Sequence, residues 1–230
     1  MKTPALIASG LGLLLFCGSM LTAGAADLAL PGGGSVAVAV TDMKAARFLT
    51  TVHQQADFSC GSAALATLLT FHYGRPTTEQ QVFDIMYAQG DQQRIRRQGF
   101  SLLDMQRLLA SQGLIADGYQ QPLDKLEQAG LPAIVRIVEQ GYAHFVVIKG
   151  IQGGRILLGD PASGTRAMSR VAFERIWQDG LLFVIHEWPG QPRFNLATDW
   201  RVVPQVRLAG AVSDVIPAMS VLPKTGSGNF

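Results

Sequence analysis

The chain has 230 residues, of which 48% are hydrophobic and 16% charged, and its formal net charge is +2. This composition excludes a disordered chain, and the small net charge gives no reason to expect nucleic acid or an anionic membrane surface as a partner. The length allows one domain of ordinary size with peripheral segments.

Residues 1–26 have the three-part layout of a secretory signal peptide. Lys2 is followed by the apolar run 11–16 and then by small residues up to Ala25. Cleavage there would remove Cys17 and leave a mature chain without a membrane span, because the apolar run is too short to cross a bilayer. The sequence therefore predicts an exported, periplasmic protein.

The chain after the signal peptide begins with a Gly- and Ala-rich stretch and then becomes helical in its pattern. We expect an N-terminal arm over 27–47, with one possible strand at 36–40. A helix is predicted from about 61 to 73, and Thr77 or Thr78 can cap the helix that follows.

Two further helices are predicted before the pattern changes. The polar and basic stretch 90–99 is interpreted as an exposed loop, in preference to a substrate-binding element, because charge clusters usually serve solubility. Ser101 and Asp104 resemble a capping box at the start of the next helix, which ends near Gly113. A short helix is predicted over 122–130. The apolar residues expected to be buried by the capped helix are Leu102, Leu103, Met105, Leu108 and Leu109.

The second half of the domain is predicted to be a sheet, because short apolar runs separated by Gly or Pro replace the helical periodicity. A helix over 169–178 precedes the last run, and from 187 onwards an irregular tail can dock on the domain but is expected to end disordered. Helices first and a mostly antiparallel sheet second predict an α+β domain over 48–186. The four predicted strands are 131–138, 144–149, 155–160 and 181–185.

Cys60 is the only cysteine expected in the mature chain. An unpaired thiol in an oxidising compartment is a hazard unless it is buried or used. Because Cys60 comes directly before a small, apolar helical run, it is placed at a helix N-terminus, where unpaired N–H groups favour a thiolate. We therefore expect a nucleophile of low pKa that iodoacetamide labels quickly at pH 6.

A cysteine nucleophile needs a histidine as base and a third group that orients the imidazole. His72 is about 18 Å from Cys60 along the same predicted helix and cannot reach it, and His53 is separated from Cys60 by an extended hexapeptide. His186 is possible, but His144 opens a strand and is the best candidate. Asp160 ends the next strand, so its side chain can meet that of His144.

These residues together resemble the papain-like cysteine peptidases that process double-glycine bacteriocin leaders. The resemblance rests on Gln54, on the helix start Cys60-Gly61-Ser62-Ala63-Ala64-Leu65, on the run 144–147 and on Asp160-Pro161. It covers residues 48 to 186. Ser59 departs from the pattern, since family members commonly have an acidic residue before the cysteine. In those exporters the peptidase domain faces the cytosol, so the chain is more similar to the stand-alone, exported members associated with Fap-type functional-amyloid secretion.

The resemblance implies a papain-like fold, with a helical N-terminal half packed on a C-terminal antiparallel sheet. It also implies roles for four residues: Cys60 as nucleophile, His144 as general base and acid, Asp160 as its orienting carboxylate, and Gln54 as an oxyanion donor. No metal or organic cofactor is implied. The expected substrate is an extended peptide or an unfolded exported protein, such as an amyloid subunit or a component of its secretion machinery.

Two other functions remain open at this point. The fold can serve as a peptide-binding chaperone without turnover, although related pseudo-peptidases have lost the cysteine that this chain keeps. A cell-wall peptidase with a Cys–His pair fits the compartment, but such enzymes usually follow an Asp-Cys-Ser pattern that is absent around Cys60.

Overall fold

The structure is a computed structural model that describes residues 43–203 in full, and residues 25–30 and 34–39 by their backbone pairing. The chain divides into two compact units, residues 1–41 and 42–230. In the first unit, β1 (Ala25–Leu30) and β2 (Gly34–Ala39) form an antiparallel hairpin, and β2 contains most of the strand predicted at 36–40. The signal peptide up to residue 24 and the end of the tail, 204–230, lie outside the described residues.

The second unit contains helices and a six-stranded sheet. The helices are α1 (Met43–Arg47), α2 (Cys60–Thr67), which continues into a π-helical turn (Leu68–His72), α3 (Glu79–Gln89), α4 (Gln92–Gln98), α5 (Leu102–Ser111), α6 (Leu123–Ala129), α7 (Arg170–Ile176) and α8 (Ala197–Arg201). The strands are β3 (Ile115–Gln120), β4 (Ala133–Glu139), β5 (Tyr142–Gln152), β6 (Arg155–Asp160), β7 (Gly164–Ser169) and β8 (Leu181–His186).

The sheet has the strand order β3-β8-β4-β5-β6-β7, and every neighbouring pair is antiparallel. Its central strand β5 is buried over eight consecutive residues. One face packs against α2 through Phe145 and Val147, and the other packs against α6 and α7 through Val146 and Ile148. Burial on both faces explains why this strand is a continuous apolar run in the sequence. The predicted α+β class is confirmed.

The predicted helix caps are present where side chains can satisfy free backbone N–H groups. Thr78 and Gln81 form a capping box at α3, and Ser101 and Asp104 form another at α5. The stretch 90–99, interpreted as a loop, is instead largely helix: Asp91 caps α4, which buries Ile95. A single apolar contact per helix is too little periodic signal to predict it.

Three other expectations are corrected. Leu103 is not buried in α5; its exposed fraction is 51%. Strands β3 and β7 were not predicted; they form the two edges of the sheet and have little apolar content. The tail contains the short helix α8 where irregular structure was predicted; it docks, as expected, through a bond from the Arg193 N–H to the His72 carbonyl. Within the part of the chain that the structure describes, no helix has the length and apolar character needed to cross a membrane.

Candidate active site

Cys60 is the first residue of α2 and is buried, with an exposed fraction of 7%. The helix starts against a crowded surface, because a Cβ on Gly61 would lie 3.0 Å from both Met105 Cε and Phe100 Cβ. All eight residues of α2 are buried. Small residues therefore let the helix bring the thiol deep into the domain, next to the backbone of β5.

The loop before Cys60 is fixed by side-chain hydrogen bonds. The Ser59 hydroxyl donates to the Ala56 carbonyl at 2.9 Å and accepts from the Ala56 N–H at 3.0 Å. The buried carboxylate of Glu79, at the start of α3, accepts from the Ser62 hydroxyl at 3.2 Å and from the Gln55 N–H at 3.4 Å. Ser59 thus closes a local turn directly before Cys60.

His144 and Asp160 meet at the ends of neighbouring strands, as their sequence positions predict. His144 Nε2 lies 3.3 Å from Asp160 Oδ2, and both side chains are buried. Burial alone would raise the pKa of Asp160, but hydrogen bonds from His144 and from the Ala162 N–H, together with the charge of Arg166, lower it to about 2. An ionised carboxylate can only accept, so Nε2 of His144 donates, and in the neutral ring Nδ1 then keeps a lone pair.

The lone pair on His144 Nδ1 is available for proton transfer. Nδ1 is buried and has no hydrogen-bond partner among the described residues. The ring of Tyr142 stacks on the imidazole with centroids 5.6 Å apart, and its hydroxyl donates to the Asp57 carbonyl at 2.8 Å. Tyr142 therefore bridges the rim of the site, from the start of β5 to the loop that leads into Cys60.

Cys60 and His144 line the same cleft, which has a volume of about 600 Å³ and is formed by the start of α5 and the start of β5. A second groove of about 480 Å³ meets the first at Cys60 and is bordered by Asp57, Arg97 and Tyr142. Two grooves that converge on one thiol suit an extended chain that passes across it in both directions.

The pKa of Cys60 differs from the sequence-based expectation. Burial raises the pKa of this thiol above its ordinary value, and hydrogen bonds from the N–H groups of Phe145 and Gly61 only partly offset that rise; the charge of Asp160 raises it further. The expectation of a low-pKa thiolate is therefore wrong for the free site. The sequence places Cys60 at a helix N-terminus but cannot reveal how much water its surroundings exclude.

Gln54 lies beside the same region and is half-buried. Its backbone N–H donates to the Pro161 carbonyl at 3.1 Å, which ties it to the turn directly after Asp160. Its side-chain Nε2 donates to the Ala56 carbonyl at 3.1 Å. A primary amide has two N–H donors, so one remains for another acceptor.

The other histidines occupy different places in the fold. His186 pairs with Asp117 at 2.6 Å and borders a separate cavity beside Tyr119. His72 ends the π-helical turn, with Nδ1 donating to the Arg193 carbonyl at 2.6 Å, and His53 packs edge-on against Phe48. None of the three lines either groove at Cys60.

Two residues of the site were not predicted from the sequence. Arg166 Nε donates to Asp160 Oδ2 at 3.0 Å, and the guanidinium fork of Arg166 binds both carboxylate oxygens of Glu139, at 3.1 and 2.5 Å. The Gly-Thr-Arg stretch of β7 carries no strand signal that would have indicated this contact.

Glu139, His144 and Asp160 place ligand atoms within 4.8 Å of one another, a grouping that could hold a metal ion. Arg166 already supplies the cation to both carboxylates, so this donor set does not fit a metal.

Comparisons with known proteins identify the family of the chain. The family model described as the peptidase C39 family matches residues 49–187. The probable functional amyloid protease FapD of Pseudomonas aeruginosa is 45% identical over 168 residues, covering 72% of this chain and 74% of that protein. A protein of the same description from Pseudomonas fluorescens is 38% identical over 173 residues, covering 75% of this chain and 76% of that protein.

A solved structure shares the fold. The crystal structure of the peptidase domain of Streptococcus ComA, a bifunctional ABC transporter of a quorum-sensing pathway, covers 59% of this chain and 96% of that domain, with a TM-score of 0.50 and 22% identity. The match supports the papain-like architecture of a helical half packed on an antiparallel sheet. The chain therefore belongs to the peptidase C39 family, and is a cysteine peptidase of the bacteriocin-processing type.

Proposed function

We propose that the chain is a periplasmic cysteine peptidase that cleaves an exported peptide or protein during functional-amyloid or peptide secretion. In this proposal Cys60 is the nucleophile, His144 the general base and acid, Asp160 the orienting carboxylate and Gln54 an oxyanion donor. The observation that carries the proposal is the buried His144–Asp160 hydrogen bond beside the cleft that Cys60 and His144 line together.

The order of proton transfers follows from the tautomer. With Nε2–H donated to Asp160, Nδ1 of His144 takes the proton of the Cys60 thiol as Sγ attacks the substrate carbonyl carbon. Because burial raises the pKa of Cys60, the proton leaves as the new C–S bond forms, with substrate in place. Asp160, ionised above about pH 2, stabilises the imidazolium that results.

The tetrahedral intermediate needs donors for its oxyanion. The backbone N–H of Cys60 at the start of α2 and the second N–H of Gln54 are the proposed donors. His144 then gives its proton to the leaving amine, which breaks the peptide bond and leaves a thioester on Cys60. Water that loses a proton to His144 attacks the thioester and releases the carboxylic acid product.

The substrate class follows from the cleft and the relatives. Two grooves that meet at Cys60 suit an extended chain rather than a folded surface. The FapD relatives are described as functional amyloid proteases, which supports an amyloid subunit or another secreted component of that system as substrate. The predicted signal peptide over 1–26 supports a periplasmic location.

A comparison of secreted proteins tests the proposal. Cells that carry wild-type protein, Cys60→Ala or the matched control His186→Ala are compared for the sizes and amounts of exported proteins, and the periplasmic fraction is assayed for the chain itself. We expect an uncleaved species to accumulate only with Cys60→Ala. Identical patterns in all three strains would instead favour the peptide-binding chaperone, and release of fragments from purified peptidoglycan would favour the cell-wall peptidase.

A further inference from the structure

Arg166 connects the proposed catalytic carboxylate to a second acidic residue. It lies on β7, opposite Leu158 of β6, and its side chain is 23% exposed. Its Nε donates to Asp160 Oδ2, the same oxygen that accepts from His144. The other carboxylate oxygen, Oδ1, accepts from the backbone N–H groups of Ala162 and Ser163 at 2.9 and 3.4 Å. Four donors thus define the plane of the Asp160 carboxylate, and Arg166 is the only side chain among them besides His144.

Glu139 holds Arg166 in the orientation that this contact requires. It ends β4, next to the two-residue turn Gln140-Gly141, whose positive φ angles of 51° and 80° are those of a tight hairpin. Both oxygens of Glu139 bind the guanidinium fork. A bidentate pair restricts the rotation of both partners, which leaves Nε of Arg166 as a directed donor.

The geometry points to Arg166 as a positioning residue for the proposed peptidase reaction: held by Glu139, it fixes the Asp160 carboxylate so that His144 presents Nδ1 to Cys60. This inference rests on the proposed function for its catalytic readout. Arg166 acts through Asp160 and lines neither groove at Cys60. It is therefore expected to affect the rate of acylation and leave substrate binding unchanged.

Removal of Arg166 would free one lone pair of Asp160 Oδ2 and allow the carboxylate to rotate. The imidazole would then lose its fixed orientation and its single tautomer, which weakens proton removal from Cys60. Misplacement of a catalytic group by about 1 Å can cost about a hundredfold in rate. Because the two backbone N–H bonds to Oδ1 remain, we expect a smaller loss for Arg166→Met, of about tenfold.

Acylation by 4-nitrophenyl acetate provides a readout that does not require the natural substrate. Sγ of Cys60 forms a thioester with the acetyl carbon, 4-nitrophenolate leaves, and the thiol proton passes through His144 to water. Arg166→Met should slow the nitrophenolate burst about tenfold, and Arg166→Lys, which keeps the charge but loses the fork, should recover only part of the rate. Arg170→Met is the matched control, since Arg170 is also an ion-paired arginine, bound to Asp124 and Glu174 away from the site; its burst should stay within about twofold of wild type.

Two further measurements separate positioning from general stability. In an Asp160→Ala background, Arg166→Met should cause no additional loss, because the carboxylate that Arg166 positions is gone. Nitrogen NMR of the histidine side chains should show His144 as the Nε2–H tautomer in wild type and as a mixture in Arg166→Met. Glu139→Gln, which leaves Arg166 in the chain but loosens it, should give a smaller loss and a smaller change in tautomer, and it replaces Arg166→Met if that variant does not fold.

The outcomes are distinct. An unchanged burst rate and tautomer in Arg166→Met, or a full additional loss in the Asp160→Ala background, overturns the positioning role. A wild-type burst no faster than that of Cys60→Ala overturns the proposed peptidase function alone, because the His144 tautomer still reports whether Arg166 positions the pair.

Discussion

The ranking of the site residues follows from what each one does in the proposed reaction. Cys60→Ala and His144→Ala should abolish turnover, because no thioester forms without the nucleophile or its base. Gln54→Ala should lose about a hundredfold to a thousandfold in turnover, the usual cost of one oxyanion donor. Asp160→Asn should fall between these, because the amide can hold the ring but can also favour the wrong tautomer.

Single-turnover cleavage of the substrate identified from Cys60→Ala cells measures this ranking, with the fold of each variant checked by circular dichroism. The control is His186→Ala, since His186 pairs with Asp117 away from the grooves and its loss should leave the rate unchanged. Wild-type rates in His144→Ala together with a loss in His186→Ala would reassign the base.

The pH dependence of Cys60 alkylation reports the protonation state of the thiol. Because burial raises the pKa of Cys60, the folded protein should react with iodoacetamide at pH 6 more slowly than a free cysteine peptide does, and the rate should rise as the pH approaches 9. Protein unfolded in urea, where the burial is lost, is the control and should match the peptide. Fast labelling of the folded protein at pH 6 would instead indicate a preformed thiolate–imidazolium pair.

At the scale of elements, α8 completes the core around a buried lysine of β5. Lys149 is fully buried and its ammonium group lies 3.0 Å from Asp199 of α8. It also donates to the Thr50 carbonyl at 2.8 Å and to the Thr50 hydroxyl at 2.6 Å. The neighbouring Gly150 admits Asn195, whose Oδ1 would lie 2.3 Å from a Cβ at that position. The segment that docks here follows the residues matched by the family model, so the domain of this chain includes more than that model covers.

Asp199→Asn should therefore destabilise the domain strongly. Burial already lowers the pKa of Lys149, and Asp199 is the counter-charge that opposes this effect. Leaving one partner of a buried ion pair uncompensated costs about 3–5 kcal/mol, measurable as a lower free energy of unfolding in urea. In Lys149→Met/Asp199→Asn neither charge of this pair remains, so most of the loss should be recovered. Equal stability of wild type and Asp199→Asn would show that the ion pair contributes nothing.

At the scale of the whole molecule, His72 makes stability depend on pH. It ends the π-helical turn, and burial lowers its pKa from 6.5 to about 4, although its hydrogen bond to the Arg193 carbonyl opposes the change. The unfolded chain then binds more protons than the folded one between these two values. The contribution of His72 to the free energy of unfolding is therefore fully present above about pH 6.5, and it is lost as the pH falls towards about 4.

The size of this pH effect follows from the two pKa values. The difference between 6.5 and about 4 corresponds to about 3 kcal/mol of unfolding free energy, to be measured by urea titrations from pH 8 to pH 4. His72→Asn is the control, because its amide can still donate to the Arg193 carbonyl but does not titrate. Its stability should change less across this range; an identical pH dependence in both proteins would contradict the assignment. Asp160, whose pKa is about 2, changes the free energy of unfolding only at lower pH.

Sequence alone predicted the features that depend on neighbouring residues. The capping boxes at Thr78 and Ser101, and the apolar run of β5, are local patterns, and the structure contains them. The pairing of His144 with Asp160 was also predictable. A short turn joins the end of β5 to the start of β6, so the start of β5 lies beside the end of β6. Helix α4 and the edge strands β3 and β7 were not, because few of their side chains are buried and so little periodicity is imposed on them.

The tertiary structure decided the features that join distant parts of the chain. Arg166 meets Glu139 from 27 residues away, and Thr50 meets Asp199 across 149 residues. Neither contact leaves a signal in the local sequence. The residues around a polar side chain do not show whether it faces water or a buried partner. The pKa of Cys60 also depends on the tertiary structure. The sequence predicts that Cys60 lies at a helix start, but the pKa of its thiol depends on how completely α5 and β5 exclude water from it.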